Sequence, residues 1–450
     1  MQEDRLGTQK ISSLFCVLTL PAIIAQLVNM LYNIVDRIYI GHIPITGTLA
    51  LTGVGLSFPI IILISAFTML ITTGSAARAS IYMGEKKPKK ADEIMGNSLM
   101  LLVFLSIILT LIFFFLHRPL IMLFGGSAST IDYASNYIKI YVLGTLFMQV
   151  SIGMNTFITA QGFAKISMLT ILIGAFLNII LDPILIFTFD LGVQGAALAT
   201  IFSQAVSMLF VLHFLTHSNS ILQLKLRYFK LNLPLIMPCI LLGLSPFVMQ
   251  FTESLLNICF NYSLAKYGGD LAIGAMTILM SIMQLLMLPI IGLTQGAQPL
   301  IGFNFGAGHK ARVQKSFKYL IITSLGYAII LWGLLHLFPD TFIHLFTTDT
   351  ELSAFTIWAL RFYFLGAFTM GAQIACQQTF VAMGNAKTSL FLALLRKGIL
   401  LIPLMFILPL CLPNPIIAVY LSEGIADILA ALVTCFCFYR FFTHYLKNPC

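Results

Sequence analysis

Apolar residues in this chain run in long unbroken stretches, and polar residues cluster in the short gaps between them. The stretches centre near Asn29, Ile62, Ser106, Phe147, Asn178, Gln204, Asn257, Met283, Ser324, Gln373, Leu401 and Asp427. Each is long enough to be a helix across a bilayer core, which needs roughly 20 residues. An outer-membrane-type barrel would alternate apolar and polar positions instead. The pattern therefore predicts an all-α polytopic membrane protein with twelve transmembrane helices. Composition agrees: 59% of the 450 residues are hydrophobic and 9% are charged, and the mean hydropathy is +0.97. A soluble domain carries about 25% charged residues, so a soluble enzyme, a disordered chain and a disulfide scaffold are excluded. The polar stretch Met1–Lys10 lacks the apolar region of a cleavable signal peptide, and insertion is expected to be directed by the first span.

The net charge of +9 raises the question of nucleic acid, but the basic residues have a different pattern. Counted from an inward N-terminus, the inner gaps hold seventeen Lys and Arg, including Arg5, Lys86, Lys87, Lys89, Lys90, Lys225, Arg227, Lys230, Lys310, Arg312 and Lys447. The opposite gaps hold two, Arg118 and Lys266. That asymmetry is the positive-inside signature. It predicts a multi-pass protein of the cell (inner or plasma) membrane with both termini cytoplasmic, lipid around it and no nucleic-acid partner. The eight cysteines lie in apolar runs or, as Cys450, at the terminus, and none shows CxxC spacing. They read as small core residues, with neither a disulfide frame nor a cysteine metal site.

The chain repeats itself. Tyr141-x-Leu143-Gly144-x3-Met148, followed by Ala160-x-Gly162-x-Ala164-Lys165-x-Ser167, recurs 222 residues later as Tyr363-x-Leu365-Gly366-x3-Met370 and Ala382-x-Gly384-x-Ala386-Lys387-x-Ser389. The same shift carries Thr72, Gly74 and Gly84 onto Thr294, Gly296 and Gly306. Two six-helix lobes follow, residues 1–220 (spans 1–6) and 221–450 (spans 7–12). Six crossings return the chain to its starting side, so the two copies are parallel. Parallel repeats with a site between or within them are a transporter architecture.

Ionisable residues inside spans are costly and carry the functional expectation. Span 1 holds Asp36 after Asn29, Tyr32 and Asn33 at helical spacing. Span 5 holds Asn178 and Asp182, four apart and thus on one face. Span 6 holds Thr200 after the small-residue run Gly192-x-x-Gly195-Ala196-Ala197. Two carboxylates, an amide and a hydroxyl are hard oxygen ligands suited to Na+ or a shared proton. Under the repeat, Asn178 and Asp182 fall on Leu400 and Leu404, which predicts that cation chemistry is confined to the first half. The second half is read as keeping one intramembrane acid, Glu253, free to meet a cationic substrate or paired with Arg396 or Lys397. Arg78, Lys139 and Arg361 are expected to snorkel, Arg396 and Lys397 to line a wet cavity, and His117, His213 and His336 to be interfacial or structural.

Taken together, Pro289-x-x-Gly292-x-x-Gln295-Gly296-Ala-Gln298-Pro299-x-x-Gly302-x-Asn304-x-Gly306, the pair Tyr32-x3-Asp36, and Gly192-Val-x-Gly195-Ala-Ala-x-Ala-Thr200 resemble the multidrug and toxin extrusion (MATE) family, in its bacterial multidrug-exporter-like branch. The resemblance covers essentially the whole chain. It implies a two-lobed antiporter that exports cationic or amphipathic compounds in exchange for Na+ or H+, with no other cofactor. By motif match the cation site becomes Asp36, Asn178, Asp182 and Thr200, with Tyr32 and Asn155 as nearby polar partners. Some relatives carry an acid in span 10, where this chain has Gln373, Gln377 and Gln378. Glu253, Gln373 and Gln377 are the candidates for contacting substrate.

Two alternatives compete with drug efflux by a monomeric antiporter. A lipid-linked-oligosaccharide flippase of the same broad superfamily would need basic groups for a pyrophosphate, and Arg396 and Lys397 are its only support. A membrane enzyme would need a catalytic cluster, and no Walker A, Rossmann glycine or HExxH pattern is present.

Overall fold

The computed structural model describes residues 5–44, 46–217, 220–347 and 349–447; Cys450 lies outside them. Ten helices are long and apolar enough to cross a bilayer: Ile11–Gly41, Leu49–Gly84, Pro88–Leu123, Ala164–Thr188, Gly192–Thr216, Leu233–Gly269, Leu271–Gly306, Lys310–Leu337, Ala386–Cys411 and Pro415–Lys447. Two bent pairs complete the set as spans 4 and 10, Ile131–Leu143 with Thr145–Ala160 and Thr350–Tyr363 with Ala367–Ala382. The predicted twelve-span, two-lobed all-α fold is thus the observed one. A helix is the natural solution here, because lipid offers no partner to an open backbone N–H or C=O.

The bends fall on the repeated Leu-Gly. Span 4 turns by 56° at Gly144 and span 10 by 52° at Gly366. Both glycines are forced by close packing. A Cβ on Gly144 would stand 2.4 Å from the Ile201 side chain of span 6, and one on Gly366 would stand 2.3 Å from the Gly424 carbonyl of span 12. Each bent helix is thereby pressed onto the last helix of its own lobe, and the bend swings Tyr141 or Tyr363 into that lobe's interior. The turns after the bent spans repeat as well, with Gly162 at φ 86° and Gly384 at φ 79° in the left-handed region that favours glycine.

The two lobes meet backbone to backbone near the face that carries the termini. Span 2 packs on span 7 where Gly74 faces Cys239 and Gly243 faces Leu70; Cβ atoms there would lie 2.0 Å and 1.8 Å from carbonyl oxygens. Gly296 of span 8 meets span 1 at Leu18 and Thr19 in the corresponding way. Spans 2 and 8 then meet each other at Gly84 against Phe303 and Gly306 against Ile81. Small residues are what allow helices in lipid to approach this closely. Spans 1 and 8 stay close as far as Gly292 against the Ile23 backbone, and side-chain contacts join there: Gln26 Nε2 donates to Gln295 Oε1 (2.9 Å), and the Phe67 and Phe247 rings stand 5.1 Å apart.

Polar clamps finish the closed end. Arg312 of span 9 donates to the Leu6 and Gln9 carbonyls and to Asn304 Oδ1, while Asn304 Nδ2 also donates to the Leu6 carbonyl. The short helix Arg5–Thr8 and Gln9 after it are thus held on the second lobe. The inter-lobe linker is held on the first, through Gln161 Oε1 accepting from Ser220, Ile221 and Leu222, Asp92 from Gln223 N, and Asn97 from Asn232 N.

A side chain at Gly306 collides with backbone, which cannot swing aside. Gly306→Leu should destabilise the closed end by about 1–3 kcal/mol, the usual range for overpacking. A lower melting temperature in detergent checks it, and an unchanged one contradicts the packing described.

Candidate cation site and the second-lobe charge network

The first-lobe site is assembled by spans 1, 4, 5 and 6. One helical turn separates Tyr32 from Asp36 on span 1 and Asn178 from Asp182 on span 5, so each pair shares a face. Pro183, directly after Asp182, has no N–H to give, and the helix continues through the π-type turn Ile184–Thr188. Such turns recur at functional sites. The carboxyls of Asp36 and Asp182 lie beside each other. Asn178 Nδ2 donates to Asp182 Oδ1 (3.3 Å) and to Thr200 Oγ1 (3.4 Å), and the Thr200 hydroxyl donates to the Ala196 carbonyl (3.0 Å).

This cluster holds more acceptors than its one side-chain donor, the Asn178 amide, can satisfy. Asp36 Oδ1, Asp182 Oδ2 and Asn178 Oδ1 are buried with no hydrogen-bond partner. Among the described residues neither carboxylate makes an ion pair. The adjacent base, Arg37, is exposed and lies over the Phe58 ring, 4.4 Å from its centroid. Buried acceptors ordinarily find a partner, and unpaired acids inside a membrane bundle mark ion or proton paths. The donor set of two carboxylates, an amide oxygen and a hydroxyl fits a hard monovalent cation or a proton. It offers no sulfur or imidazole for a softer metal.

The structure thus brings Asp36, Asn178, Asp182 and Thr200 together. Tyr32 lies within electrostatic range of both acids. Asn155 is placed elsewhere: its Nδ2 donates to the Ser167 carbonyl (3.2 Å), and Ser167 lies about 16 Å along span 5 from Asn178 at 1.5 Å per residue. Two residues that sequence reasoning passed over also surround the acids. Tyr137 and Tyr141 of span 4 are buried, stack at 5.9 Å, and lie within electrostatic range of Asp36. Their i, i+4 spacing on a helix that bends at Gly144 was the available signal.

The second lobe is richer in charge than the repeat suggested. Among the described residues it holds three intramembrane acids, not one, because span 12 adds Glu423 and Asp427, both buried. Consecutive residues on a helix point about 100° apart, so Arg396 and Lys397 of the π-type turn Leu395–Leu401 address different neighbours. Arg396 bonds Asp427 Oδ1 (2.8 Å) and Glu423 Oε1 (3.3 Å) on span 12. Lys397 pairs with Glu253 on span 7. Both bases are therefore engaged by acids and do not stand free in a wet cavity. Tyr363, the repeat counterpart of Tyr141, adjoins this network. The same four spans of each lobe thus build a polar centre, without a base in the first lobe and with two in the second.

Gln373 and Gln377 are buried in the second lobe, and Gln377 Nε2 faces Ser245 Oγ, Met249 Sδ and the Ser389 carbonyl at 3.3–3.5 Å. Among the side chains read as structural, His117 is buried between the Phe114 carbonyl and Ser135 Oγ. Arg78 donates to the Tyr82 hydroxyl (3.0 Å).

Comparison with known proteins fits this geometry. The MatE family model matches residues 21–184 and again residues 246–407, once in each lobe. The chain belongs to the MatE family. The resemblance seen in its motifs is thereby borne out. MatE relatives include the multidrug export protein MepA of Staphylococcus haemolyticus, 26% identical over 411 residues, 91% of this chain and 90% of the relative. MepA of Staphylococcus aureus is 26% identical over 417 residues, 92% and 91% of the two chains. Among solved structures, an outward-facing multidrug resistance MATE transporter of the MOP superfamily superposes with a TM-score of 0.91 over 100% of this chain and 99% of its own, at 23% identity. A MOP superfamily transporter from Pyrococcus furiosus, whose binding pocket of reverse polarity suggests a different function, superposes at 0.92 with the same identity and coverage. These superpositions establish the fold.

Arg396 balances two buried acids. Arg396→Met should destabilise the protein by about 3–5 kcal/mol, as breaking a buried ion pair does, while Arg396→Met with Glu423→Gln and Asp427→Asn should recover most of that loss. Thermal unfolding of the three proteins checks it. Equal stability of Arg396→Met and the parent contradicts the network.

Proposed function

We propose that this MatE chain is a secondary active multidrug exporter, trading small cationic or amphipathic organic compounds for inward Na+ or H+ at Asp36, Asn178, Asp182 and Thr200. The observation that carries this reading is the facing acid pair with unpartnered oxygens and no ion pair. Two carboxylates side by side inside a bundle call for a cation or a proton. An inorganic ion and a cationic drug that both neutralise the first lobe compete for the same charge. A ligand shifts a conformational equilibrium only by its differential affinity for the two states, so this competition couples ion entry to drug exit. The names of the staphylococcal relatives, similar over nine-tenths of the chain, support the same substrate class.

The remaining expectations join this proposal. The lobes divide at residues 220 and 221, and the chain works as a monomer, since one copy carries both repeats. It resides in the cell membrane with both termini cytoplasmic, as the seventeen-to-two split of basic residues indicates. With that orientation the glycine-packed end is cytoplasmic, and the state described here is closed to the cytoplasm. The work is non-covalent, and the coupling ion is its only cofactor-like requirement. Drug efflux is favoured over the flippase reading because Arg396 and Lys397, the groups a pyrophosphate would need, are paired with Glu423, Asp427 and Glu253.

The test is efflux from membrane vesicles under an imposed Na+ gradient or an imposed pH gradient, applied separately. Asp36→Asn and Asp182→Asn should each abolish gradient-driven efflux with normal expression, a loss on the order of tenfold or more. Full drug export by both variants rejects the site.

A further inference from the structure

The second-lobe network has one more acid than it has bases. Three carboxylates, Glu253, Glu423 and Asp427, face two cations, Arg396 and Lys397, and the Asp427 Oδ2 atom is buried with no partner on a residue only 1% exposed. The partners are unequal in another respect. The Lys397 side chain is 5% exposed, whereas that of Glu253 is 50% exposed. Glu253 is nevertheless turned into the lobe, toward Lys397, Arg396 and Tyr363. A half-open acid within a span and directed inward is of the kind that ordinarily borders a bundle interior or a water-filled cavity.

We infer that Glu253 is a masked anchor for monocationic substrates and that Lys397 is its mask, able to withdraw to the open oxygen of Asp427. This rests on the efflux reading above and adds a determinant of charge selectivity to it. Lys397 lies within electrostatic range of both Glu423 and Asp427, and its ammonium rides on a flexible four-carbon stem. Arg396 is less free to move, because its planar fork already holds both acids of span 12. When an organic cation takes Glu253, the displaced ammonium finds a carboxylate oxygen that nothing else occupies, so no charge is left unpaired in the lobe. A neutral compound of the same shape gains nothing from the exchange. The network therefore favours cations while hiding the anchor in their absence.

The probes are benzyltrimethylammonium and its uncharged carbon isostere neopentylbenzene. Binding to purified protein in lipid nanodiscs is measured by equilibrium dialysis, with uptake by protein-free nanodiscs subtracted. Lys397→Met should tighten binding of the ammonium by on the order of tenfold and leave the isostere unchanged. The gain should vanish in Lys397→Met with Glu253→Gln. Asp427→Asn, which removes the ammonium's refuge, should weaken the ammonium alone, and adding Lys397→Met should cancel that loss. A gain equal for both probes, a gain that survives Glu253→Gln, or no effect of Asp427→Asn overturns the mask. Melting temperature and gel filtration verify folding, and if Lys397→Met fails them, Asp427→Asn decides: loss of the ammonium alone supports the mask, and any other result overturns it. If neither probe binds any of these proteins, the mask and the drug-efflux reading fall together. If the probes bind with no dependence on Lys397 or Asp427, the mask alone falls.

Discussion

Two carboxylates that face each other inside a membrane bundle, neither held in an ion pair, are the constraint on which the rest of the first lobe depends. Asp36 and Asp182 come from spans 1 and 5, far apart in the lobe's sequence, and only a folded bundle brings them side by side. Asn178 and Thr200 add oxygens around them without adding a positive charge. Span 4 can close over the acids because Gly144 lets it press on Ile201, which carries Tyr137 and Tyr141 inward. The π-type turn after Pro183 lets span 5 continue beyond the second acid. Each local departure from a regular helix serves the same cluster.

The second lobe uses the same scaffold with a different charge balance. Its bend at Gly366, its buried Tyr363 and its π-type turn in span 11 repeat the devices of the first lobe. The turn lies earlier in its span, and the acids move to spans 7 and 12, where Arg396 and Lys397 meet them. One lobe is thus left short of positive charge and the other is nearly balanced. The glycine-mediated contacts between spans 2, 7, 8 and 1 hold the two together at the terminal face. These contacts are close because backbone meets backbone, which makes the closed end a discrete arrangement and not a graded one.

Much of this was legible in the sequence, for physical reasons that differ from residue to residue. The spans were readable because lipid demands unbroken apolar helices. The Asn178 and Asp182 pair was readable because four residues make a turn, and the two bends were marked by a repeated Leu-Gly. Glu423 and Asp427 were missed because the repeat was used as a ruler. Under the 222-residue shift they fall on Ile201 and Ala205, so comparison of the halves drew attention to Leu400 and Leu404 instead. The sequence allows Glu253 to pair with Arg396 or Lys397, and it is Lys397 that it meets, while Arg396 is taken by the two acids of span 12. Asn155 was assigned to the acids by motif, yet its amide joins spans 4 and 5 at Ser167, well along the helix from Asn178. Side-chain partners across helices depend on rotation and depth, which an apolar run does not record.

The central claim is that the Asp36 and Asp182 pair holds an ion that drug must displace. Its most direct test is ion release from the purified protein. Benzyltrimethylammonium is added to protein in weakly buffered solution, with proton release read by a pH electrode and Na+ release by a radioactive tracer. The acid pair requires ion release that saturates with drug binding and disappears in the Asp36→Asn, Asp182→Asn double variant. Drug binding that releases no ion from the parent protein, or release that persists in the double variant, contradicts it.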